Sequence, residues 1–459
     1  MFDEKILCPP VPEGTPLYKT MFRVTAGGLD VGMYSDRTYW GGCVNFGYFD
    51  LAPGHTAEVI VRPEFSFTSV KILPVMLGIT PQVTNREIRF TATRTPMQIT
   101  LVFDDNYVSG NVLHLFANPL TLYSPSEVED VLYFPAGFHD VRGTTGALDV
   151  PSDTIVYLEP GAVVYGGIRA AGEHIRIFGS GVILVDGNCS KIALDAVQCH
   201  DLDIEGVIVH THAKNGWNVH LYLCDTVGIN NLKIISTTYA CTDGLDISNG
   251  RGMIVKNSFI RSCDDSISLK AFDRSLACED VHFRDMILWN DCNSSMVVGE
   301  ESKAAYYHYI TFRDIDVLFS YDDPQYHEQL AERSVMSIVL LDGVECTDIV
   351  WENVRINKCE RLACFVFRDN FWFGTVKGDQ SVPGRIDGVQ LHNIRVFCDS
   401  GSRIANEILI EGFSEDKIVD NVDLQLVQIM GVEIDEKYPR IRKNNYVGTV
   451  SVSKTLQSK

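Results

Sequence analysis

The stretch VGINNLKI at positions 227–234 and the stretch MIVKNSFI at positions 253–260 follow one pattern. Apolar residues alternate with other residues, an asparagine follows, and apolar residues alternate again. Alternation with a period of two is typical of a strand that buries one face. Asparagine suits a sharp bend, because it tolerates left-handed backbone angles and hydrogen-bonds its own neighbours. Each copy therefore predicts two short strands joined at a corner.

The same pattern recurs towards the end of the chain. Further copies are VHFRDMIL (281–288), ITFRDIDV (310–317), IVWENVRI (349–356) and VQLHNIRV (389–396). The central residues Asn231, Asn257, Asp285 and Asp314 are 26, 28 and 29 positions apart. A unit that can bury its apolar face only against the next unit is typical of a solenoid. We therefore expect a right-handed parallel β-helix over about 130–440, with these residues stacked near one corner.

Longer gaps follow in the later repeats. The next two intervals, from Asp314 to Asn353 and from Asn353 to Asn393, are 39 and 40 residues. They predict loop insertions, which carry YDDP (321–324), Arg333 and FWF (371–373). Insertions on one face of a solenoid commonly shape a binding cleft.

The first quarter of the chain has a different pattern. Between Tyr18 and Tyr123, unevenly spaced strands such as AEVIVR (57–62) and MQITLVF (97–103) are broken by proline, glycine and Asp-Asn turns. Uneven strands with turn signals are typical of an antiparallel β-sandwich. The sequence thus predicts an all-β protein, with a β-sandwich domain over 1–125 and a β-helix domain over 126–459, divided at SPSE (124–127).

Three aspartates lie at a spacing close to one repeat. Asp243 is in the segment CTDGLD, and Asp264 and Asp265 are in SCDDSISLK, 21 and 22 residues later. Since neighbouring coils lie about 4.8 Å apart, we expect the three carboxyl groups to face one another. Carboxylates held close together cannot all ionise freely, so one can keep a proton to donate. Hydrolysis of a glycosidic bond requires such an acid and base. A single aspartate at a corner more often only caps backbone N–H groups, and Asp246 fits either a corner or a sugar contact.

Several further segments carry a resemblance to known enzymes. They are YFPAGFH (133–139), IVYLEPGAVVYG (155–166), IFGSG (177–181), and the sequence Thr-Asp-Gly at 242–244 followed one coil later by Asp-Asp at 264–265. The stretch from about Leu132 to Val317 resembles the catalytic β-helix of two glycoside hydrolase families, the polygalacturonases and the dextranase/isopullulanase enzymes.

The resemblance implies roles for the aspartates. Asp264 is similar to the general acid of these families, and Asp243 and Asp265 are similar to the pair that holds and deprotonates the attacking water. That arrangement implies inversion at the anomeric carbon. Lys270 matches a lysine of the polygalacturonase-like group and is expected to hold a substrate oxygen, although a solvated lysine at a strand end is the plainer interpretation.

The chain departs from the polygalacturonases where they meet an acidic sugar. Cys241 stands where they have asparagine, NSSMVVGEE (293–301) replaces their Gly-His-Gly, and their Arg-Ile-Lys has no evident counterpart near ITFR (310–313). The net charge of −21 would also repel a polyanion, whether pectic or nucleic acid. We therefore expect a neutral oligo- or polysaccharide, most plausibly an α-glucan, and no nucleic-acid partner.

Other side chains are of types that bind sugars. Aromatic faces stack on sugar rings, and amides and carboxylates bond hydroxyl groups. In a solenoid the same residues more often pack in the core or at corners. Besides Asp246 and Lys270, the candidate substrate-binding residues are Trp217, Asn218, His220, Tyr239, Glu300 and Glu301.

The compartment and the partners are predicted from weaker signals. The start of the chain, MFDEK, has no basic stretch followed by an apolar run, and no segment is apolar enough to span a membrane. Thirteen cysteines, many in strand-like positions, suit reduced buried thiols. These features favour a cytoplasmic enzyme that acts on small imported oligosaccharides, and strand edges of the sandwich would allow a homo-oligomer. No cofactor or metal is expected, and His210-Thr211-His212 is interpreted as ordinary strand alternation.

Three alternatives remain open. The first is a polygalacturonase-like hydrolase of pectic fragments. The second is a calcium-dependent polysaccharide lyase, in which clustered aspartates hold the ion and Lys270 abstracts a proton. The third is a β-helix that binds carbohydrate without cleaving it.

Overall fold

The computed structural model describes residues 5–121, 123, 131–214, 216–238, 241–322, 333–371 and 374–455. In these residues the regular elements are β-strands, apart from a short 3₁₀ turn at Val75–Leu77, and the all-β prediction is confirmed. No helix within them has the length and apolar character needed to cross a membrane. The predicted domain boundary at 124–127 and most of the predicted loop segments at 321–324 and 371–373 lie outside the described residues.

The chain forms two units, one of residues 1–195, 202–218 and 229–242, the other of 196–201, 219–228 and 243–459. Two sheets open the first unit, and their buried side chains form one apolar cluster that includes Phe22, Val59 and Leu101. The six strands of one sheet are Ile6–Leu7, Met33–Arg37, Cys43–Leu51, Val70–Leu73, Met97–Phe103 and Asn111–Pro119. The five strands of the other are Phe22–Ala26, Leu29–Asp30, Ala57–Pro63, Gln82–Thr84 and Glu87–Ala92. Pairing is antiparallel except between Cys43–Leu51 and Asn111–Pro119, which run parallel.

The first unit continues into stacked parallel strands. They are Val131–Phe134, Gly137–Asp140, Ala147–Val150, Ile155–Leu158, Ala162–Tyr165, Gly167–Gly179, Val182–Val185, Leu194–Glu205, Ile208–Thr211 and Lys233–Ser236, of which Leu194–Glu205 contributes residues to both units. Val182 pairs with Ile208, and Ile208 pairs with Lys233 in the next turn of the chain. Each turn thus places its strand in register on the strand of the turn before it.

The second unit repeats this stacking over more coils. Its strands are Val219–Tyr222, Asp225–Asn230 (whose last two residues belong to the first unit), Leu245–Ser248, Arg251–Lys256, Phe259–Ser262, Ile267–Ala271, Cys278–Arg284, Ile287–Asn290, Met296–Ser302, Tyr306–Arg313, Asp316–Ser320, Met336–Leu340, Glu345–Glu352, Arg355–Cys359, Ala363–Phe367, Asn370–Phe371, Val376–Lys377, Gly384–His392, Arg395–Asp399, Ile408–Glu411, Lys417–Gln425, Gln428–Ile429, Val432–Glu433, Ile441–Lys443 and Val450–Ser453. The pairing is parallel except in two short hairpins, at 370–377 and 428–433. These parallel coils are the β-helix that the repeat predicts.

The predicted corner residues have left-handed backbone angles. Their φ values lie between 52° and 57° at Asn231, Asn257, Asp285, Asp314, Asn353 and Asn393. In the second unit the residues just before them are in register, since Lys256 pairs with Arg284 and Arg284 with Arg313. The Asn393 amide also donates to Asn353 Oδ1 at 2.6 Å. The corners therefore stack, as the sequence pattern predicts.

Aromatic side chains at equivalent positions fill the interior of the second unit. The fully buried rings of Phe283, Phe312 and Trp351 are stacked, with centroids 4.8 Å and 5.3 Å apart and planes within 5°. Such pairs stabilise a core by about 0.5–1.5 kcal/mol beyond the area they bury. The stack keeps neighbouring coils in one register.

Within the first unit, a buried lysine joins the N-terminal sheets to the coils. The Lys233 ammonium donates to Asn118 Oδ1 at 2.9 Å and to the carbonyls of Gly206 and Asn231 at 2.5 Å and 2.8 Å. Burial lowers the pKa of Lys233 to about 7, although Asp50 opposes this shift. Three acceptors satisfy all three of its donors, as a buried ammonium requires.

Candidate active site

Asp243, Asp264 and Asp265 lie at the starts of paired strands in the second unit. Strand Leu245–Ser248 pairs with Ile267–Ala271, which in turn pairs with Met296–Ser302. The backbone continues this pairing into the preceding loops, where the Gly244 N–H donates to the Asp265 carbonyl at 2.7 Å. Parallel strands in register carry their preceding loops to the same edge, so the three carboxyl groups come together.

The three carboxyl groups form a tight, nearly buried cluster. One oxygen of each lies within 4.8 Å of an oxygen of the other two. Asp264 is 7% exposed, against 3% for Asp243 and 2% for Asp265. Asp264 is thus the member most accessible from outside. The structure places the sequence-predicted trio together, and their catalytic roles stay a prediction.

Lys270 lies beneath this cluster. Its ammonium nitrogen is 2.9 Å from Asp243 Oδ2, 3.1 Å from Asp246 Oδ1 and 3.8 Å from Glu301 Oε2. Burial by itself would lower the pKa of Lys270, but the charges of Asp243, Asp246, Glu301 and Asp265 outweigh it and raise the pKa well above its ordinary value. Lys270 is therefore a permanent cation held by carboxylates.

Two of the neighbouring carboxyl groups favour the protonated form. Burial, and then the charges of Asp264 and Asp243, raise the pKa of Asp265 well above its usual range. Burial, and then the charge of Asp243, do the same for Asp246. Carboxyl groups this close titrate as a set and share their protons. Within the site, Asp265 and Asp246 are therefore the carboxyl groups that favour holding a proton.

Two asparagines fix the Asp264 segment. The Asn293 amide donates to Asp264 Oδ1 at 2.7 Å. The Asn290 amide donates to the carbonyls of Asp264 and Ser294 at 2.7 Å and 3.1 Å. Sequence reasoning missed both asparagines as site residues. A signal existed, because Asn290 and Asn293 lie 26 and 29 positions after Asp264, which is one coil.

Successive side chains of a strand point to opposite faces of the sheet, so the site and the apolar core lie on different faces. Leu245 and Ile247 are fully buried in the apolar interior, so Asp246 and Ser248 point the other way. His220 is in register with Asp246, and its Nε2 lies 3.1 Å from Ser248 Oγ. His220, Asp246 and Lys270 therefore share the outer face of this sheet, as candidate substrate-binding residues should.

The remaining candidates have mixed outcomes. Asn218, in the first unit, accepts from Thr211 Oγ1 at 2.5 Å and donates to the Thr242 carbonyl at 3.4 Å, which fits an internal bracing role. Trp217 of the same unit is half-buried. Glu300 is buried with a φ of 59°, next to Glu301 at the lysine. Tyr239 lies outside the described residues.

A second cluster of titratable groups lies in the first unit. Asp36, His210 and His212 each offer one ligand atom, and these atoms are within 4.8 Å of one another. The sequence pattern gave no reason to connect Asp36 with the two histidines, because 174 residues separate it from His210.

Comparisons with known proteins bear on the fold. No protein-family model and no curated protein matches the chain. Among solved structures, the chain is similar to Dex49A from Penicillium minioluteum, with a TM-score of 0.66 and 13% identity over 94% of this chain and 92% of that one. It is also similar to the Yersinia enterocolitica Family 28 exopolygalacturonase, with a TM-score of 0.53 and 12% identity over 92% and 99% of the two chains.

The fold is thus that of the parallel β-helix glycoside hydrolases, and the resemblance first seen in the motifs is confirmed. At 12–13% identity the likeness extends to the fold alone.

Proposed function

We propose that the protein is a glycoside hydrolase that cleaves a neutral oligosaccharide by inversion. Asp264 acts as the general acid, and Asp243 and Asp265 hold and deprotonate the attacking water. The observation that carries this proposal is the cluster of three carboxyl groups, with oxygens within 4.8 Å, on consecutive coils. Asp264, the most exposed of the three, is the one best able to reach a glycosidic oxygen.

The charges around the three aspartates support general acid and general base catalysis at the same pH. The raised pKa of Asp265 favours a proton within the cluster, while the Lys270 ammonium lies 2.9 Å from Asp243 Oδ2. A proton on Asp265 can move to Asp264 as a substrate enters, since oxygens of the two carboxyl groups lie within 4.8 Å of each other. An acid and a base of different pKa are what glycoside hydrolysis needs.

The stereochemical outcome rests on the environment of each carboxyl group. Oxygens within 4.8 Å are closer than the about 6.5–9.5 Å between carboxyl groups that most inverting enzymes show, and by itself this spacing favours retention. A retaining enzyme needs a nucleophile that the anomeric carbon can reach. Asp243 is instead paired with Lys270, and Asp265 is 2% exposed with a raised pKa. Both are better placed to hold a water molecule than to attack a sugar, and this supports inversion.

A neutral substrate fits the charges of the site. Lys270 is already held by Asp243 and Asp246, so its charge is largely neutralised before any substrate arrives. A galacturonate carboxylate would meet further carboxylates here, on a protein with a net charge of −21. These charges favour an α-glucan such as an isomalto-oligosaccharide ahead of pectic fragments.

A linkage panel tests the proposal. The purified protein is incubated with α-1,6-, α-1,4- and α-1,3-linked gluco-oligosaccharides and with oligogalacturonate, and products are separated by chromatography. We expect cleavage of at least one neutral series, loss of that cleavage in Asp264→Asn, and normal cleavage in the corner variant Asp285→Asn. Turnover of oligogalacturonate alone would overturn the neutral substrate. Binding of a glycan without cleavage would overturn the hydrolase.

A calcium-dependent lyase is the second candidate, because the same three carboxylates could hold a divalent cation. The Lys270 ammonium disfavours it, since a cation already lies 2.9 Å from Asp243. A lyase would lose activity on treatment with a chelator and would form products with an absorbing double bond. We expect neither result.

The broader features of the molecule belong to the same proposal. The two N-terminal sheets, whose side chains share one core, form a β-sandwich ahead of a right-handed β-helix. The enzyme acts in the cytoplasm on short oligosaccharides, without nucleic-acid or membrane partners, and the sandwich edges allow a homo-oligomer. Fractionation of the native host and light scattering of the purified protein test the compartment and the oligomeric state.

A further inference from the structure

Asp36, His210 and His212 come together in the first unit from two distant parts of the chain. Asp36 belongs to the N-terminal strand Met33–Arg37, and His210 belongs to Ile208–Thr211, with His212 directly after it. Residues two apart on a strand point to the same side, so both imidazoles face Asp36. Asp36 and His210 are buried at 1% and 0% exposure, and the His212 side chain is 12% exposed.

Both histidine nitrogens lie at distances from Asp36 Oδ2 close to those between ligands of a small cation. His212 Nδ1 is 3.3 Å and His210 Nε2 is 3.8 Å from Asp36 Oδ2. Ligand atoms around a tetrahedral Zn²⁺, with bonds of about 2.0–2.1 Å, lie about 3.4 Å apart. The two distances to Asp36 Oδ2 are within about 0.4 Å of this value, and all three ligand atoms lie within 4.8 Å of one another.

The hydrogen bonding of His210 leaves one nitrogen unused. Its Nδ1 lies 3.0 Å from the carbonyl of Ile235, which can only accept, so Nδ1 carries the proton. Its Nε2 is buried, points towards Asp36 and has no hydrogen-bond partner among the described residues. Burial lowers the pKa of His210, although the charge of Asp36 opposes this shift. A carbonyl that fixes the tautomer is the usual companion of a metal-binding histidine.

Asp36 is held in the orientation a ligand needs. Its Oδ1 accepts from the N–H of Arg37 at 2.7 Å, and its Oδ2 accepts from the N–H of Ala213 at 3.1 Å. Burial would raise the pKa of Asp36, but hydrogen bonding to His212 and the charges of both histidines lower it overall. These two backbone hydrogen bonds leave lone-pair capacity on Oδ2.

We propose that Asp36, His210 and His212 bind a divalent transition-metal ion, with Zn²⁺ as the fitting class. Two imidazoles and one carboxylate are a common ligand set for such ions. A water molecule on the exposed side of His212 completes the coordination. The ion cross-links an N-terminal strand to a coil of the first unit, independently of the glycosidase site.

Metal binding by the full-length protein tests the proposal. Chelator-treated and dialysed protein is titrated with Zn²⁺ by calorimetry and with Co²⁺ by visible absorption, and Tm is measured with and without Zn²⁺. We expect one ion per chain, four-coordinate Co²⁺ bands and a higher Tm with Zn²⁺, since a ligand that binds only the folded state stabilises it.

Variants then locate the ion. Asp36→Asn and His212→Gln change ligands with little change of volume, and we expect binding to weaken by more than the about 10–100-fold that loss of an outer-shell partner costs. The matched control is His174→Gln, which alters an exposed histidine 3.0 Å from Asp153 in another pair of the first unit. It should bind as the unaltered protein does. Circular dichroism identifies any variant that fails to fold.

Two results would overturn the site. One is the absence of Zn²⁺ and Co²⁺ binding by the unaltered protein, which would mean that the two histidines only contact Asp36. The other is equal binding by the unaltered protein and by folded Asp36→Asn and His212→Gln, which would place the metal elsewhere.

Discussion

The ammonium nitrogen of Lys270 lies 2.9 Å from Oδ2 of Asp243, and both side chains are almost completely buried. Three further carboxyl groups, those of Asp246, Glu301 and Asp265, lie in the same region, and the ammonium offsets their negative charge. The stability of this part of the coil stack and its chemistry therefore depend on the same lysine.

Replacing Lys270 by methionine should destabilise the protein. Removing one partner of a buried ion pair leaves a buried charge uncompensated and costs about 3–5 kcal/mol. Urea unfolding measures the loss, and adding Asp246→Asn should recover part of it by removing one of the stranded carboxyl groups. Lys256→Met, at a half-buried position on a strand of the same unit, is the control. Unchanged stability in Lys270→Met would contradict the ion-pair interpretation.

Each of the three aspartates should be needed for turnover. General acid or base catalysis contributes about 10²–10⁴-fold, so Asp243→Asn, Asp264→Asn and Asp265→Asn should each lower kcat by at least that factor. A substrate with an activated leaving group needs no proton and should partly rescue Asp264→Asn alone. Rescue of Asp265→Asn instead would make Asp265 the acid.

The first product released should have the opposite anomeric configuration to the substrate. In the proposed mechanism, water held by Asp243 and Asp265 attacks the face opposite the leaving group that Asp264 protonates. Proton NMR recorded during the first minutes of turnover, before mutarotation, gives the configuration directly. A retained anomer would indicate a covalent intermediate on one of the carboxylates.

Asp265→Asn should stabilise the protein at neutral pH while lowering its activity. The pKa of Asp265 is raised above its ordinary 3.8 in the folded state, so the folded protein binds a proton that the unfolded chain has already lost. The free energy of unfolding therefore falls as pH rises above about 3.8. Asparagine cannot ionise and avoids this penalty.

The gain in Asp265→Asn should be largest near pH 7 and should vanish below the unfolded-state pKa, where both forms are neutral. Denaturant unfolding from pH 3 to pH 8 measures it. If the gain in the free energy of unfolding does not depend on pH, it does not come from ionisation of Asp265.

The corner residues should tolerate glycine better than alanine. Asn257 has a φ of 52°, and a left-handed conformation costs a residue with a Cβ about 1–2 kcal/mol. Asn257→Ala should lower the Tm, and Asn257→Gly should lower it less. Equal losses would show that the side-chain contacts of Asn257, rather than its backbone angle, determine its contribution.

The repeat and the aspartate trio could be predicted because both are periodic. Once one coil is about 26 residues long, Asn257 and Asp285 must stack, and a spacing of 21 or 22 must bring Asp243 near Asp264 and Asp265. Asn293 lies 29 residues after Asp264, which is also about one coil. Its contact with Asp264 could have been predicted by extending the count by one coil.

Contacts between a coil and the N-terminal sheets could not be predicted in this way. Lys233 occupies an ordinary polar position in the repeat, yet the structure buries it completely against Asn118. Asp36 and His210 are likewise distant in sequence. Their meeting depends on how an N-terminal strand packs on the coils, and local periodicity carries no information about that packing.

The loop insertions of the later coils have a consequence for evolution. Each coil is hydrogen-bonded to the coils next to it, so extra residues at a corner need not disturb the register of Ile267 on Leu245. The interval from Asp314 to Asn353 is 39 residues, against 26 to 29 in the earlier coils. In such a scaffold the loops and the stacked strands can change independently during evolution. New loops can change which sugar chain is accepted while the strands that position the aspartate trio stay the same.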